Sequence, residues 1–128
     1  MDKEKKKILI VDDDTFLLDM YALKFSQSSF EVYTASSAKE ALEKLKGGLS
    51  PHIILLDIIM PEMNGFEMME KMIEEKISPD SIKIVLSNKG QQSDIDRGCD
   101  LGAAGYLVKA SNTPAEVIDK VMEIVTKK

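Results

Sequence analysis

Short apolar runs alternate with helical patterns along the whole of this chain, and that alternation limits the fold more than any other feature. The runs fall at residues 8–11, 31–35, 52–56, 82–86 and 105–108. From Ile53 to Leu56 the run has no polar interruption, as expected of a strand covered on both faces. After the first run, Leu17, Met20, Tyr21 and Phe25 recur at spacings of three and four, which is one face of a helix over 16–25. Ser37 and Glu40 form a capping box ahead of Ala38, Ala41, Leu42 and Leu45, and Gly47-Gly48 ends that helix. Asn64 caps a third helix with Glu67 at the reaching position and Phe66, Met69, Met72 and Ile73 inward. The fourth helix, 91–101, is the weakest pattern, since Gly98 inside it costs about 1 kcal/mol relative to alanine. Thr113-Pro114-Ala115-Glu116 opens the fifth, whose buried stripe is Val117, Ile118, Val121 and Val125. Strict strand–helix alternation with short connections gives an α/β, doubly wound parallel sheet of five strands with helices on both faces.

Length and charge narrow the function. The 128 residues suffice for one domain spanning 1–128, which buries about two-thirds of its unfolded surface without a metal or disulfide staple. A net charge of −5 argues against direct binding of nucleic acid, which needs a clustered basic surface. A single cysteine, Cys99, excludes an internal disulfide and fits a reducing compartment. The apolar run at 8–11 is too short for a signal peptide, and no stretch approaches the roughly 20 apolar residues of a membrane span. The expectation is a cytoplasmic, stand-alone protein without membrane contact. The lysines Lys3, Lys5, Lys6 and Lys7 read as a solvated flank of the first strand.

Such sheets bind ligands at the carboxyl ends of their strands, beside the point where strand order reverses. The residues there are Asp12-Asp13-Asp14 after the first run, Asp57 after the third, Ser87 at the fourth and Lys109 after the fifth. Carboxylates this close repel one another, and a hard divalent cation such as Mg²⁺ relieves the repulsion while keeping positions for water and phosphate oxygens. An ionised Asp57 there is a nucleophile suited to phosphorus, and Lys109 and Ser87 can hold phosphoryl oxygens. A nucleotide site would place a glycine-rich loop after the first strand; three aspartates there repel a pyrophosphate, and no such motif occurs. One Cys and one His leave no zinc set.

Val11-Asp12-Asp13, the segment Leu56-Asp57-Ile58-Ile59-Met60-Pro61-Glu62-Met63-Asn64-Gly65, Leu86-Ser87 and Tyr106-Leu107-Val108-Lys109 resemble the motifs of the response-regulator receiver domain of two-component signalling. The resemblance covers about residues 6–126 and implies a flavodoxin-like sheet of order 2-1-3-4-5. It implies that Asp57 accepts a phosphoryl group from a sensor histidine kinase or a phosphotransfer protein. Mg²⁺ would be held by Asp13, Asp57 and the Ile59 backbone carbonyl, with Asp12 acting mostly through water. Ser87 would move toward the phosphoryl group and Tyr106 would rotate with it, altering the face of helix four, strand five and helix five that a downstream protein reads. On this reading the protein is not an enzyme, promotes only its own phosphoryl transfer and autodephosphorylation, and is a monomer or a phosphorylation-dependent dimer.

Two positions depart from the family pattern: Asn88 stands where a small residue is usual, and Ala110 where proline is usual. A non-proline cis peptide costs about 2.5–4 kcal/mol, so the Lys109–Ala110 bond is expected to be trans. Ile59, Asn88 and Lys89 occupy positions that tune dephosphorylation in the family. Asp14 reads as the cap of the first helix, His52 as a strand-opening residue remote from the site, and Cys99 as a helix residue without redox function. Core packing accounts for Met69 and Met72. Two rivals stand beside this reading: a receiver-shaped interaction module that works without phosphorylation, and a haloacid-dehalogenase-type phosphatase using Asp12 and Asp14. In the second, Phe16 stands where threonine is needed.

Overall fold

In the computed structural model, which describes residues 5–127, the strands are β1 (Lys6–Val11), β2 (Phe30–Ala35), β3 (Ile53–Leu56), β4 (Ile82–Ser87) and β5 (Ala103–Val108). The helices are α1 (Thr15–Gln27), α2 (Ala38–Lys46), α3 (Gly65–Glu74), α4 (Gln92–Asp100) and α5 (Pro114–Thr126), with a 3₁₀ turn at Lys109–Ser111. Lys3 of the lysine run lies outside the described residues. The strands form one parallel sheet in the order β2-β1-β3-β4-β5, so the chain reverses its direction of winding between β1 and β3. None of the described helices is long and apolar enough to cross a membrane.

Alternate strand residues point to opposite faces and build two core layers. Leu9, Val11, Ile54, Leu56 and Val85 pack with Ala41, Leu42 and Leu45 of α2 and Met68, Met69 and Met72 of α3. Ile8, Ile10, Ile53, Leu55 and Ile84 pack with Tyr21 and Phe25 of α1 and Val117 and Val121 of α5. Every residue of β3 is buried, because both layers close over the strand nearest the middle of the sheet.

Three helix faces differ from the spacing-based expectation. In α1 the buried stripe is Leu18, Tyr21 and Phe25, with Leu17 and Met20 only flanking it. In α3, Met68 is buried while Ile73 is 54% exposed. Ile73 follows Phe66 on the same side of the helix, but its turn overhangs an open groove bordered by Pro79, Lys83 and Leu101. In α5, Val125 is only partly buried against its core layer. The caps form as expected: Asp14, Ser37, Asn64 and Thr113 each accept a backbone N–H of the first turn. At the start of α4 the Asp94 side chain reaches back to accept the Gln91 N–H at 3.2 Å, and the helix holds despite Gly98.

Candidate functional site

Asp12 and Asp57 directly follow β1 and β3, the two strands at which winding reverses. Their backbones are stitched into the sheet, Asp12 N–H donating to the Ala35 carbonyl at 3.1 Å and Asp57 N–H to that of Val11 at 3.0 Å. Both side chains are buried. Lys109, one residue past β5, reaches across with Nζ 2.7 Å from Asp12 Oδ2 and 2.9 Å from Asp57 Oδ2. The other oxygen of Asp57 accepts the Ile58 N–H at 2.7 Å and the Ile59 N–H at 3.3 Å. The other oxygen of Asp12 accepts the Asp14 N–H at 2.9 Å. Asp13 is exposed, and carboxylate oxygens of Asp12, Asp13 and Asp57 lie within 4.8 Å of one another.

Burial shapes the electrostatics. It pushes the Asp12 carboxyl above its ordinary value, an effect only partly offset by the hydrogen bond from Lys109. Burial acts against the charged Lys109, but the hydrogen bonds and charges of Asp12 and Asp57 outweigh it and hold the ammonium pKa above its ordinary value. Lys109 therefore remains a cation throughout the neutral range. Three carboxylates face this one ammonium, leaving a negative pocket of hard oxygen donors that fits Mg²⁺.

The loop beneath Asp57 depends on Gly65, a residue that nothing in its local sequence pattern marks out. Its N–H donates to the Ile58 carbonyl at 2.9 Å, and a Cβ there would sit 2.3 Å from the Asp57 carbonyl oxygen. The requirement is close backbone approach, which residue spacing does not reveal.

The neighbouring strand ends are arranged differently. Ser87 is fully buried, and its Oγ accepts the Lys89 N–H at 3.2 Å. The Tyr106 hydroxyl donates to the Lys89 carbonyl, and burial followed by the charges of Asp94 and Asp57 pushes this phenol up to about 12. Gly98 gives the Tyr106 ring its room: a Cβ there would lie 3.2 Å from ring carbon Cδ2. The residue that weakens α4 as a pattern is thus the one that admits the aromatic side chain. Lys89 also pairs with Asp94 at 3.6 Å. Arg97 joins α4 to α3, lying 4.6 Å above the centroid of Phe66 and 3.3 Å from a Glu70 oxygen. The Lys109–Ala110 peptide is trans, and its chain continues into the 3₁₀ turn.

Other singled-out residues lie apart from this cluster. Asp14 is turned away to cap α1 and Phe16 is 79% exposed, so the paired-aspartate phosphatase arrangement does not assemble. His52 accepts the Lys7 N–H at 2.9 Å and lies at the start of β3, not its end. Cys99 is an exposed free thiol on α4. Ile59, 59% exposed, stands beside Asp57 at the mouth of the pocket.

Residues 8–122 match the family model described as the response regulator receiver domain. The chain belongs to that family. The receiver domain is 35% identical over 120 residues to the chemotaxis protein CheY of Thermotoga maritima, covering 93% of this chain and 97% of that protein. It is 33% identical over 120 residues to response regulator SaeR of Staphylococcus aureus, of which it spans only 50%. Among solved structures it superposes on a CheY-like receiver domain from Methanospirillum hungatei with TM-score 0.85, 30% identity and coverage of 96% and 95% of the two chains. The chemotaxis protein CheY4 of Vibrio cholerae matches with TM-score 0.85 and 26% identity, covering 94% of this chain and 98% of that one. The flavodoxin-like order expected from the motifs is the order observed, and the chain is a signalling domain of two-component systems.

Proposed function

We propose that this receiver domain takes a phosphoryl group onto Asp57 from the phosphohistidine of a sensor histidine kinase or a phosphotransfer protein. The observation that carries the reading is the set of contacts on Asp57. One oxygen is held by Lys109 at 2.9 Å, the other by a backbone N–H at 2.7 Å, and two further carboxylates lie beside it. A carboxylate so held is oriented for attack without a neighbouring base. Its oxygen attacks phosphorus and the P–N bond breaks. The bonding pair stays on the imidazole nitrogen, which takes up a proton. Lys109 exchanges a carboxylate partner for a phosphoryl oxygen, stabilising the charge that develops there. Asp12, Asp13, Asp57 and the Ile59 carbonyl would hold Mg²⁺, which offsets the charge of the phosphoryl oxygens when bound.

The new group adds about −1.5 to −2 charge and strong acceptors beside Ser87. We assign Ser87 the role of following those acceptors and Tyr106 that of reporting the move. The result is an altered α4–β5–α5 face for a downstream protein. Ile59, Asn88 and Lys89, around the mouth of the pocket, would set how fast water removes the group. Incubation with acetyl phosphate and Mg²⁺ tests the reading. The expected result is a mass gain of one phosphoryl group, abolished by EDTA. No gain in the presence of Mg²⁺, and no chemical-shift change around Asp57 with beryllofluoride, would favour an interaction module that works unphosphorylated.

A further inference from the structure

The loops after β4 and β5 are joined where the backbone ladder stops. The two strands pair in parallel as far as Ser87 opposite Val108. Just beyond that rung, the Ala110 N–H donates to the Asn88 side-chain oxygen at 2.9 Å. A side-chain carbonyl thus continues the ladder by one bond after the strands have ended. The far side of the same turn is also pinned, because Asn112 Nδ2 donates to the Val108 carbonyl at 2.8 Å. The residues joined are adjacent to the groups that matter. Asn88 follows Ser87, and Ala110 follows Lys109, whose Nζ bridges Asp12 and Asp57. They are also the two positions at which the sequence leaves the family pattern. A proline at 110 has no N–H to give, and an alanine at 88 has no oxygen to receive one, so each departure supplies the half of the bond that the other needs.

We propose that Asn88 is a positioning residue. Its amide ties the Lys109 turn to the end of β4, so that Ser87 and Lys109 are presented to the phosphoryl group as one unit. The effect on phosphoryl binding rests on the Asp57 reading above; the tether itself does not.

Two measurements on the full chain decide it: amide exchange at Ala110 by NMR in metal-free protein, and affinity for beryllofluoride in the presence of Mg²⁺. Asn88→Leu keeps the size of the side chain and removes the acceptor, whereas Asn88→Asp keeps an acceptor. The expected result is Ala110 exchange about two- to tenfold faster in Asn88→Leu, with protection retained in Asn88→Asp. Asn88→Leu should also weaken beryllofluoride binding about two- to tenfold, and cost nothing further in an Ala110→Pro background, where no donor remains. Proline at 110 also disfavours the helical conformation of Lys109, so the exchange comparison, which needs no proline, stands as the independent arm. Unchanged Ala110 exchange in Asn88→Leu, or an equal loss of affinity in both backgrounds, would overturn the proposal. If the wild-type protein takes up no beryllofluoride, the Asp57 reading fails, and the exchange arm still decides the tether.

Discussion

The carboxyl ends of β1 and β3 and those of β4 and β5 lie side by side, yet they are built on different terms. At the first pair, the Asp12 and Asp57 backbones donate into the ladder, their side chains are buried, and Gly65 leaves no space for even one more carbon. At the second pair, contacts pass through side chains: Asn88 to Ala110, Tyr106 to the Lys89 carbonyl, Lys89 to Asp94. Asn88, Lys89, Gly90 and Ala110 are all exposed. Backbone stitching ties a residue into the sheet ladder, whereas a side-chain bond at the surface is worth about 1 kcal/mol and can be exchanged. The first arrangement, on the proposed reading, suits a reacting carboxylate held in place. The second, on the proposed reading, suits a region that shifts when a phosphoryl charge arrives.

Lys109 spans both regions, and its removal should give the largest effect. Lys109→Ala is expected to slow phosphoryl uptake about 100-fold, by analogy with loss of one preorganised donor to a developing charge. The same variant should bind Mg²⁺ more tightly in a metal titration, since three carboxylates then have no ammonium among them. Equal weakening of both properties would mean that Lys109 only supports the fold.

A pair of glycines sharpens the contrast. Gly65→Ala drives a Cβ to 2.3 Å from a backbone oxygen that cannot give way, and should cost about 1–3 kcal/mol in denaturant unfolding. Gly98→Ala meets only the edge of the Tyr106 ring at 3.2 Å, and gains about 1 kcal/mol of helix propensity. Its net change should stay within about 1 kcal/mol, with the response concentrated in Tyr106 shifts. Similar losses at the two sites would erase the difference between the regions.

The smallest effect concerns Tyr106. Ultraviolet titration should show a tyrosine ionising near 12, lost in Tyr106→Phe. Because the folded-state pKa lies above the ordinary value of 10.0, the native state keeps this proton after the unfolded chain has released it. The contribution to stability is therefore full below pH 10.0 and falls as pH rises toward 12. Titration of all the tyrosines at the ordinary value would place the ring in solvent.

Much of this was readable before any coordinates. Strand order followed from the motifs, and the caps at Asp14, Ser37, Asn64 and Thr113 from local chemistry, because capping acts over three residues. The residues that gather at the site were legible because each ends its own strand. Features that depend on distance across the fold were not. Ile73, expected inward from the periodicity of α3, is 54% exposed, while Met68, which the spacing did not single out, is buried. Gly65 and Gly98 looked alike as glycines, and only their neighbours separate a backbone clash from a tolerant ring edge. Asn88 and Ala110 read as two independent departures, although they meet across 22 positions of chain.

The central claim is that Asp57 carries the phosphoryl group. Phosphotransfer from a phosphohistidine donor to the wild-type chain and to Asp57→Ala, with the modified residue located by mass spectrometry, tests it most directly. Mg²⁺-dependent labelling of the wild type on Asp57 and no labelling of the variant are the expected results. Equal labelling of both proteins, or a phosphoryl group found on Asp12, would contradict it.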